Sequence, residues 1–307
     1  MTSSLVVLQS HAIRVAVAPD RGARVTSLVD LRTRREWLTQ GEPPLNPSIE
    51  ARYGLGEAAG WDECFPTVSA CTIGGEYFRD HGELWGRAWI VETVEPTRLT
   101  TLFRTDSYVS RRELRLGPTT LRALYRVDNL TNAPKTALWA MHPLFALREG
   151  EAIDFKGVRA LWPTYLSNAS GPASFMPLPW PEGDARLPFD VSRVQGPETR
   201  FAGKFFAVGE RKESARLGGP SESIEMRWRG LNHVGLWVTY GAWPSPNNVV
   251  SVAVEPTTSP HDSLAAAIEQ EVDAWTLPPH GVAKWEVRLS FHVNRSSSSR
   301  EAPLPSA

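Results

Sequence analysis

The chain has 307 residues, 41% of them apolar, and a mean hydropathy of -0.28, the profile of an ordinary globular protein with length for one large β domain or two smaller ones. Its 33 basic residues stand against 34 acidic ones, so no net field gathers phosphates, which argues against nucleic acid or an anionic membrane surface as a partner. No apolar run approaches the roughly 20 residues of a membrane span, and Met1 to Ala18 alternates apolar with polar residues, which predicts a cytoplasmic protein without a signal peptide.

The two cysteines, Cys64 and Cys71, have neither metal-ligand nor disulfide-framework spacing, in keeping with a reducing compartment. Asn129, Asn168 and Asn294 open Asn-x-Ser/Thr triplets, which carry no weight without a secretory signal.

In chain order, "HAIRVAVAP", "RVTSLVDL" and "RREWL" alternate with period two and predict strands. Further strands are expected at "TTLRALYRVDNLT", "TALWAMHPLFAL", "SIEMRWRG", "HVGLWVTY", "VVSVAVEP" and "AKWEVRLSFHV", each bounded by Gly, Pro, Asn or Asp. Residues 161–189 are so rich in proline and aromatics that they predict a long ordered loop over the surface rather than a strand. Only "SPHDSLAAAIEQ" reads as a helix, with Ser259 or Asp262 as its cap.

No repeat and no linker interrupts residues 1–294, which predicts one all-β sandwich domain, and the low-complexity stretch 295–307 predicts a disordered tail.

Twelve tryptophans are many for this length. On strands they stiffen the core of a large sandwich, but a flat aromatic face also matches the C–H face of a pyranose, so some of them are candidates for a sugar site.

Polar groups suited to catalysis concentrate in "GWDECFPTV", "DHGELWGR", "WAMHPLFAL" and "VAVEPTTSP". His142 interrupts an apolar run, where a histidine is either a satisfied core residue or a catalyst. Glu255 ends a strand as a carboxylate that turns to solvent, or else has a partner or a function. Asp62 and Glu63 read as adjacent loop acids, and Arg87 as a surface partner of Asp80 or Glu83.

The order of these pieces resembles the aldose 1-epimerase (galactose mutarotase-like) superfamily. An acidic loop, a His-Gly turn, a strand histidine followed by proline, and a late strand glutamate recur there in this sequence. The opening "RGARVTSLVDLRTRREWL" and the closing "EPTTSPHDSLAAAIEQEVDAWTLPPHGVAKWEVRLSF" extend the likeness over residues 5 to 294.

The resemblance implies a large twisted antiparallel β-sandwich with a sugar site on the concave face of one sheet. It matches Glu255 to the family's general base, His142 to its general acid and His81 to the histidine that holds the sugar. Around them it implies a sugar-binding set of Trp61, Asp62, Glu63, Trp85, Arg87, Lys204 and Trp243, with Gly82 letting the backbone approach the sugar. The reaction is anomer interconversion: a base takes the C1 hydroxyl proton while an acid protonates the ring oxygen, the ring opens, and it closes from the other face. It calls for no metal or organic cofactor. A charged His142 is expected, held by a carboxylate from Glu255, Asp62 or Glu63.

The chain also departs from the galactose-specific pattern. The family's Asn-Arg element and His-Gly-Gly context are replaced by "GWDECFPTV" and "DHGELWGR". The second resembles the His-Gly-x-x-(x)-Arg turn of divergent branches, including those acting on phosphorylated hexoses, so Arg79, Arg87, Arg111 and Arg112 are candidates for a phosphate cluster. A carbohydrate-binding protein without turnover is the alternative from another class, and a lyase or hydrolase would need a paired-acid or Tyr/His/Asn cluster that is not visible.

Overall fold

The computed structural model describes residues 5–41, 53–54, 58–171, 175–210, 213–244, 248–271 and 275–294, so the expected tail at 295–307 lies outside the described residues. The chain opens with β1 (Val6–Gln9), β2 (Ile13–Ala18), β3 (Arg24–Asp30) and the two-residue β4 (Arg35–Glu36). After β5 (Trp61–Cys64) comes a small hairpin of β6 (Cys71–Ile73) and β7 (Glu76–Phe78). A meander follows: β8 (Ile90–Glu95), β9 (Arg98–Arg104), β10 (Tyr108–Leu116) and β11 (Thr120–Asn129). Next are β12 (Lys135–Ala137), β13 (Ala140–Pro143), β14 (Ala152–Phe155), β15 (Val158–Leu166) and β16 (Leu178–Pro179). The last third holds β17 (Phe201–Gly209), β18 (Ser214–Gly218), β19 (Glu222–Arg229), β20 (His233–Tyr240) and β21 (Val250–Thr257). Helix α1 (Leu264–Glu269), β22 (Trp275–Leu277) and β23 (Val282–Val293) close the chain.

Two large antiparallel sheets result. One runs β1-β2-β3-β5-β13-β21-β20-β17-β15-β16 with β4 beside β3, and the other runs β14-β18-β19-β23-β11-β10-β9-β8. A continuous cluster of buried side chains draws on both, with Val25, Leu28, Phe205, Leu236 and Val254 from the first and Leu114, Leu121, Ala123, Val287 and Leu289 from the second. The alternation of β11, buried at every second residue, shows how one face enters this core while Arg122 and Arg126 stay outside. The all-β sandwich expected from the periodicity is the observed architecture.

Three local expectations are corrected. Residues 161–189 do not lie wholly in a loop, because Leu161 to Leu166 pair with β17. The sheet admits Pro163 because β16 ends short of it, pairing only at Ala160 and Leu161, and a register shift follows between Pro163 and Tyr165. "TALWAMHPLFAL" is split, with β12 pairing to β22 and β13 entering the large sheet. The cap of α1 is Ser263, whose side chain accepts from the Ala266 amide, because the Asp262 carboxylate is engaged by Lys204 and Ser259 accepts from His261.

Candidate functional site

The register of the larger sheet builds the site. Arg24 on β3 meets Asp62 on β5, Asp62 pairs with His142 on β13, and continuing the Ala140–Thr257 pairing by two residues sets His142 opposite Glu255 on β21. Glu255 pairs with Gly235 on β20, Gly235 with Phe206 on β17, and Phe206 with Trp162 on β15. Directly opposite residues in neighbouring strands share a face, so one row crosses seven strands on the side away from the core. A second row, Tyr165, Lys204 and Trp237, runs beside it.

A pocket of about 420 Å³ opens over these rows, lined by His81, His142, Lys204, Glu255, Asp262, Asp80, Val68 and Ser69 and walled by Tyr165, Trp237 and Trp243. Tyr165 stacks on Trp237 at 5.9 Å, and Trp237 meets Trp243 edge-on at 5.4 Å. Of the residues expected from the sequence, His81, His142, Lys204, Trp243 and Glu255 come together here.

At its base, His142 Nε2 stands 3.6 Å from Glu255 Oε1, an oxygen with no hydrogen-bond partner among the described residues. The other oxygen, Oε2, accepts from Lys204 Nζ, which also lies 3.2 Å from Asp262 Oδ1. Gly235 makes this possible: a Cβ there would meet Glu255 Oε2, Lys204 Cε and Lys204 Nζ, each at 3.3 Å.

His142 is fixed from behind. The Tyr53 hydroxyl lies 3.0 Å from Nδ1, and Tyr53 is 1% exposed. Burial holds the Tyr53 phenol well above its ordinary pKa, so the hydroxyl stays neutral and accepts from an Nδ1–H or donates to a bare Nδ1 according to the imidazole tautomer. Tyr53 also stacks on His81, with ring centroids 3.8 Å apart and planes 10° from parallel. His81 meets His142 edge-on at 4.9 Å, and its Nδ1 lies 2.9 Å from Asp80.

The expected charged His142 is not what the surroundings favour. Burial, then His81, Lys204 and Arg24, hold its pKa well below the ordinary value, and Asp62 is engaged by Arg24 through bonds of 2.9 and 2.6 Å. Burial pushes Glu255 up, with Lys204 opposing. Burial alone would lower the Lys204 ammonium, but Asp262 and Glu255 overcome it and hold Lys204 charged. Burial thus moves the two groups in opposite directions, His142 down and Glu255 up, and disfavours the charged form of each.

Five expected binding residues lie elsewhere. Asp62 is fully buried in its pair with Arg24 beside His142. Glu63 is not an exposed loop acid: strand alternation turns it into the core, where it accepts from Trp61 Nε1, Arg112 and Tyr125. Trp61 faces the same core, and Trp85 is buried against the edge of Tyr53 and under Arg79. Arg87 lines a different pocket with Glu83 and Tyr108. Gly82 serves the protein's own backbone rather than a sugar: His81 has φ 60° and Gly82 φ 70°, and a Cβ on Gly82 would collide with the Phe65 carbonyl.

Sequence reading missed Tyr53, Tyr165, Trp237 and Asp262 as site residues. Trp237 carried a usable signal, since it falls in the alternating "HVGLWVTY", whereas Tyr165 lies in the stretch whose prolines predict a loop. Tyr53 comes from a turn seven residues ahead of the Gly60 that opens "GWDECFPTV".

No protein-family model matches the chain, and no curated protein matches it in sequence. Solved structures do match in shape. A protein from Synechocystis sp. PCC 6803 aligns with a TM-score of 0.72 at 16% identity, over 96% of this chain and 97% of that one. A galactose mutarotase-like protein from Lactobacillus casei aligns at 0.67 and 15% identity, over 94% and 100%. A galactose mutarotase related enzyme from Lactobacillus acidophilus aligns at 0.67 and 18% identity, over 98% and 100%. The chain has the galactose mutarotase-like fold.

Proposed function

We propose that the protein is a mutarotase that interconverts the α and β anomers of an unphosphorylated aldose. The observation that carries this reading is the pair at the base of the pocket: a buried carboxylate oxygen without a hydrogen-bond partner among the described residues, 3.6 Å from an imidazole nitrogen. Glu255 Oε1 takes the proton of the C1 hydroxyl and His142 Nε2 gives one to the ring oxygen; after rotation about C1–C2 the two transfers reverse on the other face. The pair needs one proton between its two members. The imidazolium form arises when Glu255 passes that proton to a bare Nε2 while Nδ1 keeps its own hydrogen toward the Tyr53 oxygen, and its share is independent of pH while the pair holds a single proton. His81, braced by Tyr53 and Asp80, orients a sugar hydroxyl, and Trp237 and Trp243 support the ring.

The charges support a neutral sugar. Lys204, the lysine of the pocket, is held by two carboxylates, and the candidate phosphate arginines do not converge there. Arg79 donates to the Gly82 and Trp85 carbonyls, Arg111 pairs with Glu92 at the surface, and Arg112 is buried on Glu63.

The Lys204–Glu255 pair also favours a second reading, a carbohydrate-binding protein whose carboxylate is neutralised. Exchange NMR of anomer interconversion over a panel of aldoses and hexose phosphates separates the two. Acceleration is expected on free aldoses, and Glu255→Gln and His142→Asn should each lower it by roughly 10²- to 10⁴-fold. Sugar binding with no acceleration by the parent protein would establish the binding protein instead.

A further inference from the structure

The row that carries Glu255 does not end at the pocket. Beyond Gly235 it continues to Phe206, 5% exposed, and then to Trp162, 54% exposed. Tyr165, 47% exposed and part of the pocket wall, lies on the same strand and the same face, because the register shift after Pro163 aligns it with Lys204. Trp162 and Tyr165 therefore extend the stacked Tyr165–Trp237 wall outward as one aromatic strip. Strands lie about 4.8 Å apart, so the three steps from Glu255 to Trp162 span about 14 Å, beyond the reach of a single pyranose whose C1 lies between Glu255 and His142.

We propose that this strip is a second subsite, and that the substrate is the reducing end of a disaccharide or longer oligosaccharide whose next sugar unit stacks on Trp162 and Tyr165. The proposal rests on the mutarotase reading for the orientation of the first ring. In a reducing disaccharide the anomeric C1 is free, and a linkage through O4 leaves from the opposite end of the ring. With C1 at the catalytic pair, the second unit is directed away from Glu255 and along the row. A flat, uncharged aromatic surface suits the C–H face of that unit, and two exposed aromatic rings on a sheet face continuous with a pocket are the kind of patch a monomer carries for a ligand. A sugar is the occupant because Tyr165 belongs to the pocket wall and the strip at once.

The test is calorimetric binding of maltose and galactobiose, beside glucose and galactose, to the full chain and to Trp162→Ala and Trp162→Phe, with anomer exchange measured in parallel. Trp162 is exposed and outside the pocket lining, so its loss should leave the fold and the monosaccharide values unchanged. A disaccharide is expected to bind the parent tighter than its monosaccharide by roughly tenfold, the ratio set by about 1.4 kcal/mol. Trp162→Ala should erase that advantage, and Trp162→Phe should keep most of it. Equal binding of mono- and disaccharide by the parent would overturn the subsite. So would a Trp162→Ala variant that weakens both sugars alike, or one that only converts a dimer to a monomer. Because binding is read apart from turnover, absent exchange with an intact disaccharide advantage would reject the mutarotase reading and retain the subsite.

Discussion

Lys204 sets the working condition of Glu255. Burial drives this carboxyl toward its neutral form, and the ammonium bonded to Oε2 is the main force the other way. Asp262 raises the value further and His81 lowers it, and His142, Tyr53 and Cys64 are other titratable groups coupled to it. Replacing Lys204 by Met removes a cation that lowers both Glu255 and His142, so the acid limb of kcat/KM, where the one-proton pair takes up a second proton, should move to higher pH. A pH–rate profile of the parent and Lys204→Met checks this, and an unmoved limb would detach Lys204 from the base. Several single residues are legible in the sequence alone: His142 and Glu255 stand out as polar breaks in apolar strands, and His81 belongs to a turn with its own glycine. Their supports are not, because a tyrosine from a turn and an aspartate ahead of α1 reach the pocket only through the chain's long-range path.

Strand alternation decides what adjacent residues do. Asp62 and Glu63 look alike in sequence, yet β5 turns one toward His142 and Arg24 and the other toward Arg112 in the core. A slip of one residue would exchange the two environments, so the pairing of β5 with β13 is as much a part of the site as the side chains. On β20, Gly235 acts by leaving space. Gly235→Ala would crowd Lys204 and Glu255, and the flexible lysine would yield first. Exchange NMR and thermal unfolding should show roughly tenfold slower turnover at nearly unchanged Tm; unchanged turnover would mean that Lys204 need not touch Glu255. The long strands β11, β19, β20, β21 and β23 were readable from their period, whereas β10 and β17 were not among the expected strands. The route of β15 into the sheet was not readable, because its proline content argued for a loop and only the short reach of β16 makes the proline harmless.

At the scale of the whole molecule, the two sheets are joined by a buried ion pair. Glu63 comes from one sheet and Arg112 from the other, with Tyr125 and Trp61 completing the cluster and the Ala23 carbonyl accepting from Arg112. Burial, opposed by Arg112, still pushes the Glu63 carboxyl up to about 7. Because this value is raised above that of the unfolded chain, its contribution to stability is full below the unfolded pKa of about 4.5 and is lost as pH rises through 7. Arg112→Met would strand the charge, and removing one partner of a buried pair costs about 3–5 kcal/mol. The urea midpoint should fall with an unchanged m-value, and less at pH 5, where the carboxyl is protonated, than at pH 8. Equal losses at both would show that Glu63 stays ionised throughout.

The central place of His142 and Glu255 bears on how the protein fails. Strands β13 and β21 lie midway across the larger sheet, with four strands on the far side of β13 leading to β1 and four on the far side of β21 leading to β16. Fraying begins at free edges and at segments with few buried contacts, whereas the middle of a sheet opens only with the whole fold. The margins of the sheet can therefore breathe while the distance between Glu255 and His142 stays fixed. On the mutarotase reading, loss of turnover on heating or in denaturant would then report the last cooperative step of unfolding rather than an early local one.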